Sequence, residues 1–575
     1  MGHHAIYDEN PMNRLMERVT VGWWWALLCL SATALGLQDA PRDQVRQAMG
    51  LIQQGKFAEA EASLAQVVAA HPDAPMAWLQ LGAARHAQQK HDLAVDAWQR
   101  ATNFPATAAT AYYNLGCVHA VRGDKESALA TLARAVEHGF RDRGLFLADT
   151  DLESLRADPR FAGLIPPLLT GQDLFVEPVR ILQTFSGEHP GDEFGWVARR
   201  VGDLDADSIE DFVTTAPGYR QHAGKLYAFS SRSGKLLFHR VGEPGQRYGN
   251  GAAGAGDVNA DGVPDVIVGG PQAGLGLAEV LSGADGSVLH RWQGETTGAQ
   301  FGYKVGPLGD VDGDGCGDVV VTALVGAGSG ECHGFSGQTG QPLFSLTGEN
   351  LGDKFGSAVC GYSVGEHSLL AVGAQDAGPE RRGAVYLYRF ENQRPVMVFR
   401  FLSDATGTDL GQMFLSFPGD VNRDGTPDLY CSDFNSSRGA PGAGRVWVLS
   451  GTDGAILVDV AGTQPGEGLG TSPSDAGDLN GDGIGDLAVG AWQNREGAIS
   501  GGKVYLFSGA DGQALGSWTC RQHGDTFGFD SVGLSDVDGD GNNDLLITSA
   551  WSPTNGPKTG RVFILAGQDW SRSDE

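Results

Sequence analysis

Residues 527–547 read Phe527-Gly-Phe-Asp-Ser-Val-Gly-Leu-Ser-Asp536-Val-Asp538-Gly-Asp540-Gly-Asn-Asn-Asp544-Leu-Leu-Ile547. A Phe-Gly pair opens a short apolar run, four acidic residues are packed into nine positions, and a second apolar run follows at once. The same order recurs upstream. Its opening pairs are Phe194-Gly195, Tyr248-Gly249, Phe301-Gly302, Phe355-Gly356, Leu410-Gly411, Leu469-Gly470 and Phe527-Gly528, at intervals of 53 to 59 residues. Within each unit the second apolar run is followed by a Gly-rich turn, a strand such as Lys503 to Phe507, a Ser-Gly-x-x-Gly turn and a last strand. Gly, at 86 of 575 residues, is about twice its usual share, and its spread between alternating apolar runs indicates tight turns.

Four short strands per unit, repeated seven times, predict a radial all-β propeller whose blades bury their faces against one another. An extra strand, Val179 to Phe185, precedes the first unit, and the seventh stops after Arg561 to Leu565. The first strand is therefore expected to complete the last blade and remove an open sheet edge. These units resemble the FG-GAP repeat of integrin α subunits, both in the Phe-Gly openings and in a second signature at Val268 to Pro271, Thr215 to Pro217 and Val489 to Trp492. The resemblance covers nearly 400 residues, although three openings replace Phe and few copies keep a full Gly-Ala-Pro. It implies ligand contacts on the face opposite the acidic loops; the accessory domains of integrins are absent.

Five units carry the pattern D-x-[DN]-x-D-G-x-x-D. Its ligand positions one, three, five and nine are Asp257, Asn259, Asp261 and Asp265; Asp310, Asp312, Asp314 and Asp318; Asp420, Asn422, Asp424 and Asp428; Asp478, Asn480, Asp482 and Asp486; and Asp536, Asp538, Asp540 and Asp544. Oxygens at these positions, with a backbone carbonyl at position seven, suit a hard cation that takes six to eight oxygen ligands, and Gly at position six permits a turn with positive φ. The expected occupant is Ca2+. An EF-hand would need Glu at position twelve between helices, whereas here strands such as Val266 to Val268 follow position nine directly. The first unit keeps Asp203, Asp205, Asp207 and Asp211 but has Ser208 at position six, which predicts a weaker sixth site. The fourth unit, reading Gly361 to Ser368 at this point, has no ligand cluster. Clustered carboxylates repel, and a divalent ion converts that repulsion into a cross-link.

The first third is different in kind. Residues 41–142 show Ala-rich helical periodicity with a 34-residue repeat that places Trp78 over Tyr112, Leu81-Gly82 over Leu115-Gly116, Ala94 over Ala128, Trp98 over Leu132 and Ala101 over Ala135. This resembles the tetratricopeptide repeat, in which Gly and Ala mark the points where antiparallel helices touch. The chain is thus expected to be multidomain: three tetratricopeptide-like repeats at 41–142, capping helices at 143–170, a linker at 171–177 and a seven-bladed propeller at 178–570. Ahead of these, Arg14 and Arg18 lead into the apolar run Val21 to Leu30 and then small residues to Gly36, the layout of an export signal at 1–36 with the mature chain starting near Leu37. The expected location is secreted, periplasmic or cell surface, with no membrane span in the mature chain.

The formal net charge is -29, from 41 Lys and Arg against 70 Asp and Glu, which disfavours nucleic acid and anionic membranes as partners. Cys117, Cys316, Cys332, Cys360, Cys431 and Cys520 match no zinc spacing; Cys316 and Cys332 share a blade and are close enough in sequence to pair, with buried free thiols as the preferred reading. Gly249 to Gly254 matches a dinucleotide-binding pattern by letter, yet a strand rather than a helix follows it. There is no H-E-x-x-H, nucleophile elbow or P-loop. The chain therefore reads as a non-enzymatic, calcium-binding adhesion or scaffold protein with a protein or glycan ligand. The alternative is a calcium-dependent polysaccharide lyase or hydrolase on a propeller scaffold.

Overall fold

The computed structural model describes residues 39–364, 367–472 and 474–570. The expected export signal at 1–36 lies outside them. The chain divides into two units, Met1–Leu168 and Leu169–Glu575.

In the first unit six helices form three successive pairs: α1 (Asp39–Gln53) with α2 (Phe57–Ala70), α3 (Pro75–Ala87) with α4 (His91–Ala101), and α5 (Pro105–Val121) with α6 (Lys125–Glu137). The repeat positions lie at the crossings. A Cβ on Gly82 would come within 2.4 Å of the Trp98 ring, and one on Gly116 within 2.6 Å of Leu132. The Trp98 indole also donates to the Leu79 carbonyl at 3.0 Å, so the bulky partner is held by both packing and a hydrogen bond. Beyond α6 the chain forms α7 (Arg143–Ala148), a 3-10 turn (Thr150–Leu155) and α8 (Pro159–Ala162). Asp142, Asp149 and Asp158 cap these short elements by accepting the backbone N–H of Leu145, Asp151 and Arg160. Leu152, Leu155 and Phe161 then bury against Tyr113 and Phe146.

The second unit contains seven four-stranded antiparallel sheets. Each blade takes four strands in chain order, as blade 2 does with Gly251–Gly256, Asp265–Gly270, Leu277–Leu281 and Val288–Gln293. Blade 7 is built from Ser531–Gly533, Leu545–Ser549, Arg561–Leu565 and, as its outer strand, Ile181–Ser186. The pairing of Ile181 with Leu565 and of Ser186 with Arg561 closes the ring with the strand that the sequence holds in surplus.

Hydrophobic clusters sit between adjacent blades, for example Val213, Leu226 and Phe238 of blade 1 with Val266, Val268 and Leu277 of blade 2. The Phe-Gly openings are the joints. Each opening aromatic or leucine is buried, which is why Phe, Tyr and Leu interchange there. Its Gly has positive φ in all seven copies, between 78° and 108°, a region that favours glycine. Phe194, Tyr248, Phe301, Leu410, Leu469 and Phe527 each bridge a glycine of the preceding blade.

Residues 171–177, expected as a linker, are instead packed onto the propeller. Phe175 is buried and meets Phe527 and Phe563 edge-on, with ring centroids 5.0 and 6.0 Å away. Val176 N–H donates to the Thr519 carbonyl, Arg521 N–H to that of Leu174, and the Glu177 carboxylate accepts from Thr519 N–H and hydroxyl. The outer strand of blade 6, Ala514–Thr519, thereby gains a partner at its end. The six described cysteines are free thiols, Cys316 and Cys332 included.

Candidate metal centres

All six acidic loops join the first strand of a blade to its second, so they share one end of the ring. Their backbone geometry is the same. In blade 2 the Asp257 carboxylate accepts from Asp261 N–H at 3.1 Å and Gly262 N–H at 2.9 Å, and the Asp261 carboxylate accepts from Val263 N–H at 2.8 Å. The position-one residues Asp203, Asp310, Asp420, Asp478 and Asp536 accept the equivalent pair of bonds. Position three joins the wrap: Asn259, Asp312, Asn422, Asn480 and Asp538 accept from the N–H of position five. A carboxylate oxygen has two lone pairs and each N–H occupies one, so acceptor capacity remains.

Position nine ties the loop to the blade. Asp211, Asp265, Asp318, Asp428, Asp486 and Asp544 are fully buried. One oxygen of each accepts from the N–H of loop position two, as from Leu479 at 2.8 Å. The other accepts from the N–H of a residue just after the third strand, at Ser231, Gly283, Gly337, Gly451, Gly509 and Gly567; in blade 7 this is the segment beyond the last strand, and in the other five blades it is the turn to the fourth strand. In blades 2, 3, 5 and 6 the Ser-Gly-x-x-Gly turns seen in the sequence are therefore the second anchor of the acidic loops. Burial pushes the position-nine carboxyls up, to about 6 for Asp211, Asp318, Asp486 and Asp544, with neighbouring loop carboxylates adding to the rise.

Carboxylate oxygens converge in three of these loops. Oxygens of Asp203, Asp205 and Asp211 lie within 4.8 Å of one another, as do those of Asp310, Asp312 and Asp318 and those of Asp536, Asp538 and Asp540. In the other three loops the position-three amide donates to the position-five carboxylate: Asn259 to Asp261 at 2.9 Å, Asn422 to Asp424 and Asn480 to Asp482 at 3.0 Å. Asp207 and Asp314 occupy the same fifth position and accept from Ile209 and Cys316 N–H. Asp420 and Asp478 complete the position-one set, and Asp424 and Asp482 accept from Thr426 and Ile484 N–H. Blade 4 has no such loop, since its strands Phe355–Val364 and His367–Ala374 pair up to Val364 and His367.

Several features were not legible beforehand. Position four is left-handed as well as position six, with Ala206, Ala260 and Arg423 at φ of 63°, 58° and 59° and Gly in the other three loops. Ser208 takes φ of 70°, the same turn as its glycine counterparts. In the seventh loop Arg180, from the segment entering the closing strand, pairs with Asp538 and, at 2.6 Å, with Asp540. No local sequence signal connects residues so far apart. One feature is legible in the sequence itself and corrects the expectation that no Arg-Gly-Asp tripeptide is present: Arg122-Gly123-Asp124 forms the turn between α5 and α6, where Asp124 caps α6 through Ser127 N–H and Arg122 pairs with Asp92.

Comparison with known proteins agrees with both halves of this architecture. A tetratricopeptide repeat model matches residues 45–107, and an FG-GAP repeat model matches residues 528–565. The chain carries both repeats. Its relatives include integrin alpha-2 of Mus musculus, 30% identical over 167 residues, or 25% of this chain and 14% of that protein. Integrin alpha-3 of Mus musculus is 32% identical over 161 residues, 25% of this chain and 15% of the relative, and integrin alpha-4 of Xenopus laevis is 29% identical over 219 residues, 34% and 20%. The tetratricopeptide and FG-GAP chain thus spans between a seventh and a fifth of the length of these relatives. Among its described residues no helix is long and apolar enough to cross a membrane.

Proposed function

We propose that this protein is an exported, calcium-loaded binding protein, whose propeller engages a protein or glycan ligand and whose helical repeats offer a second protein-interaction surface. The observation that supports the metal reading is the backbone wrap around the position-one carboxylate, repeated in six loops at one end of the ring, with carboxylate oxygens converging in three of them. Five loops bind Ca2+ well and the Asp203 loop more weakly, because its left-handed position six is Ser208. The ions are structural: they offset repulsion among loop carboxylates and link the first strand of a blade to its second. Similarity to integrin α subunits over part of their length supports an adhesive rather than an enzymatic role, and secretion or surface display accords with that role.

The test has two arms. Elemental analysis of protein dialysed against saturating Ca2+ is expected to give between five and six ions per chain; fewer than four defeats the metal reading. Binding to an array of extracellular proteins and glycans, with and without chelator, tests the ligand reading, and turnover of an arrayed polysaccharide would replace it with catalysis.

A further inference from the structure

The inner strands of all seven blades enclose an axial cavity of about 290 Å³, at the lower end of the roughly 300–1,000 Å³ range of small-molecule sites. Small residues open it, among them Gly251, Gly254, Gly306 and Gly361, and Val305, Val359 and Phe414 supply apolar wall. Its charge is unusual for this chain. Against a net charge of -29 overall, the cavity and its immediate wall hold three cations, Arg199, Arg200 and Lys304, and two carboxylates, Asp475 and Asp530.

Two of the cations are satisfied. Arg199 bonds the fully buried Asp530 at 2.6 Å, and Asp530 also accepts from Ala198 N–H at 3.1 Å. Arg200 pairs with Asp475. Lys304 is the remainder: among the described residues its ammonium has neither a hydrogen-bond acceptor nor an ion-pair partner. It rests 5.6 Å from the centre of the Phe414 ring, whose centre lies 5.8 Å from the Arg199 guanidinium carbon. Burial and the neighbouring Arg199 push the Lys304 ammonium down to about 8. A second polar group in the cavity is also unmet, since the Ser416 hydroxyl is buried and has no hydrogen-bond partner among the described residues. Lys304 is half-buried on the cavity wall, and a partly desolvated cation without a counter-charge, like an unmet buried hydroxyl, is costly unless something else satisfies it.

We propose that the axial cavity binds a small carboxylate, whose charge is met by Lys304 and whose apolar body lies against Val305, Val359 and Phe414. The carboxylate restores the balance of the cavity to three cations and three anions. The cavity's size restricts the body to something near a single ring or a short branched chain. This site is separate from the acidic loops, so its success or failure leaves the metal reading untouched.

Benzoate and its neutral isostere benzamide are suitable probes, titrated calorimetrically into the full chain in Ca2+. Benzoate is expected to bind at one per chain, with benzamide weaker by about tenfold or more, the equivalent of about 1.4 kcal/mol. Lys304→Met is expected to abolish discrimination between the two probes, whereas Lys304→Arg retains it. Should the Met variant fail to fold, the Arg variant and the benzamide comparison decide alone. Absence of benzoate binding to the wild-type chain, equal affinity for the two probes, or undiminished benzoate binding to a folded Lys304→Met chain would each overturn the proposal.

Discussion

Replacing Asp482 by Ala separates the role of a carboxylate as a metal ligand from its role in the bare loop. Without metal, its oxygens accept from Ile484 N–H at 2.8 Å and from the Asn480 amide at 3.0 Å, and the residue is exposed. Water replaces such bonds, so the loss in chelator is at most about 1 kcal/mol, and relief of repulsion from Asp478 reduces it further. In Ca2+ the cost is larger. A site held at a hundredfold excess over its dissociation constant stabilises the folded chain by about 2.7 kcal/mol, which the variant forfeits. Denaturant titration of the propeller transition is expected to show this calcium-specific difference, and elemental analysis one ion fewer per chain. Asp453→Ala removes the same charge from an exposed turn, where the side chain accepts from Ala455 N–H, and is expected to lose no ion. If Asp482→Ala loses equal stability in Ca2+ and in chelator, or keeps the full ion count, the loop is a hydrogen-bonded turn and the reasoning fails.

Arg180→Ala removes the cation that pairs with Asp538 and Asp540, an exposed pair worth about 0–1 kcal/mol, so calcium affinity of the seventh loop should rise by up to about fivefold in a calorimetric titration. Gly82→Val forces a side chain into the Trp98 ring and should destabilise the helical repeats by about 1–3 kcal/mol in a circular-dichroism melt. Gly50→Ala, in α1 with open space around it, should instead stabilise them by about 0.5–1 kcal/mol in the same melt. Phe175→Ala empties a buried site between Phe527 and Phe563 and should cost the propeller about 3–5 kcal/mol by denaturant titration; an unchanged midpoint would mean that 171–177 is a linker after all.

Repetition made most of the fold legible from the chain alone. A seven-copy unit with four short apolar runs cannot bury its faces except against copies of itself, so blade number, strand order and closure through Val179 to Phe185 followed from counting. The 34-residue period likewise placed Gly82 and Gly116 at helix crossings, because only small residues allow such approach. In the loops, carboxylate spacing marked positions one, three, five and nine as candidate ligands, and the structure bends the backbone around position one in all six.

What the sequence could not reveal depends on residues brought together from distant parts of the chain or on backbone held by its neighbours. Ala206, Ala260 and Arg423 are left-handed because the carboxylate wrap around them demands it, against their own preference. Position-nine Asp needed the turn of the next hairpin to become an anchor. Arg180 reaches the seventh loop only because ring closure sets residue 180 beside residue 540, and Phe175 is core only because blades 6 and 7 leave an apolar face there. The surplus charge of Lys304 emerges last of all, once seven inner strands have brought Arg199, Asp530 and Phe414 around one axis. Local pattern determines which elements form and how they repeat; tertiary closure decides which charges are drawn away from water and which of them meet a counter-charge.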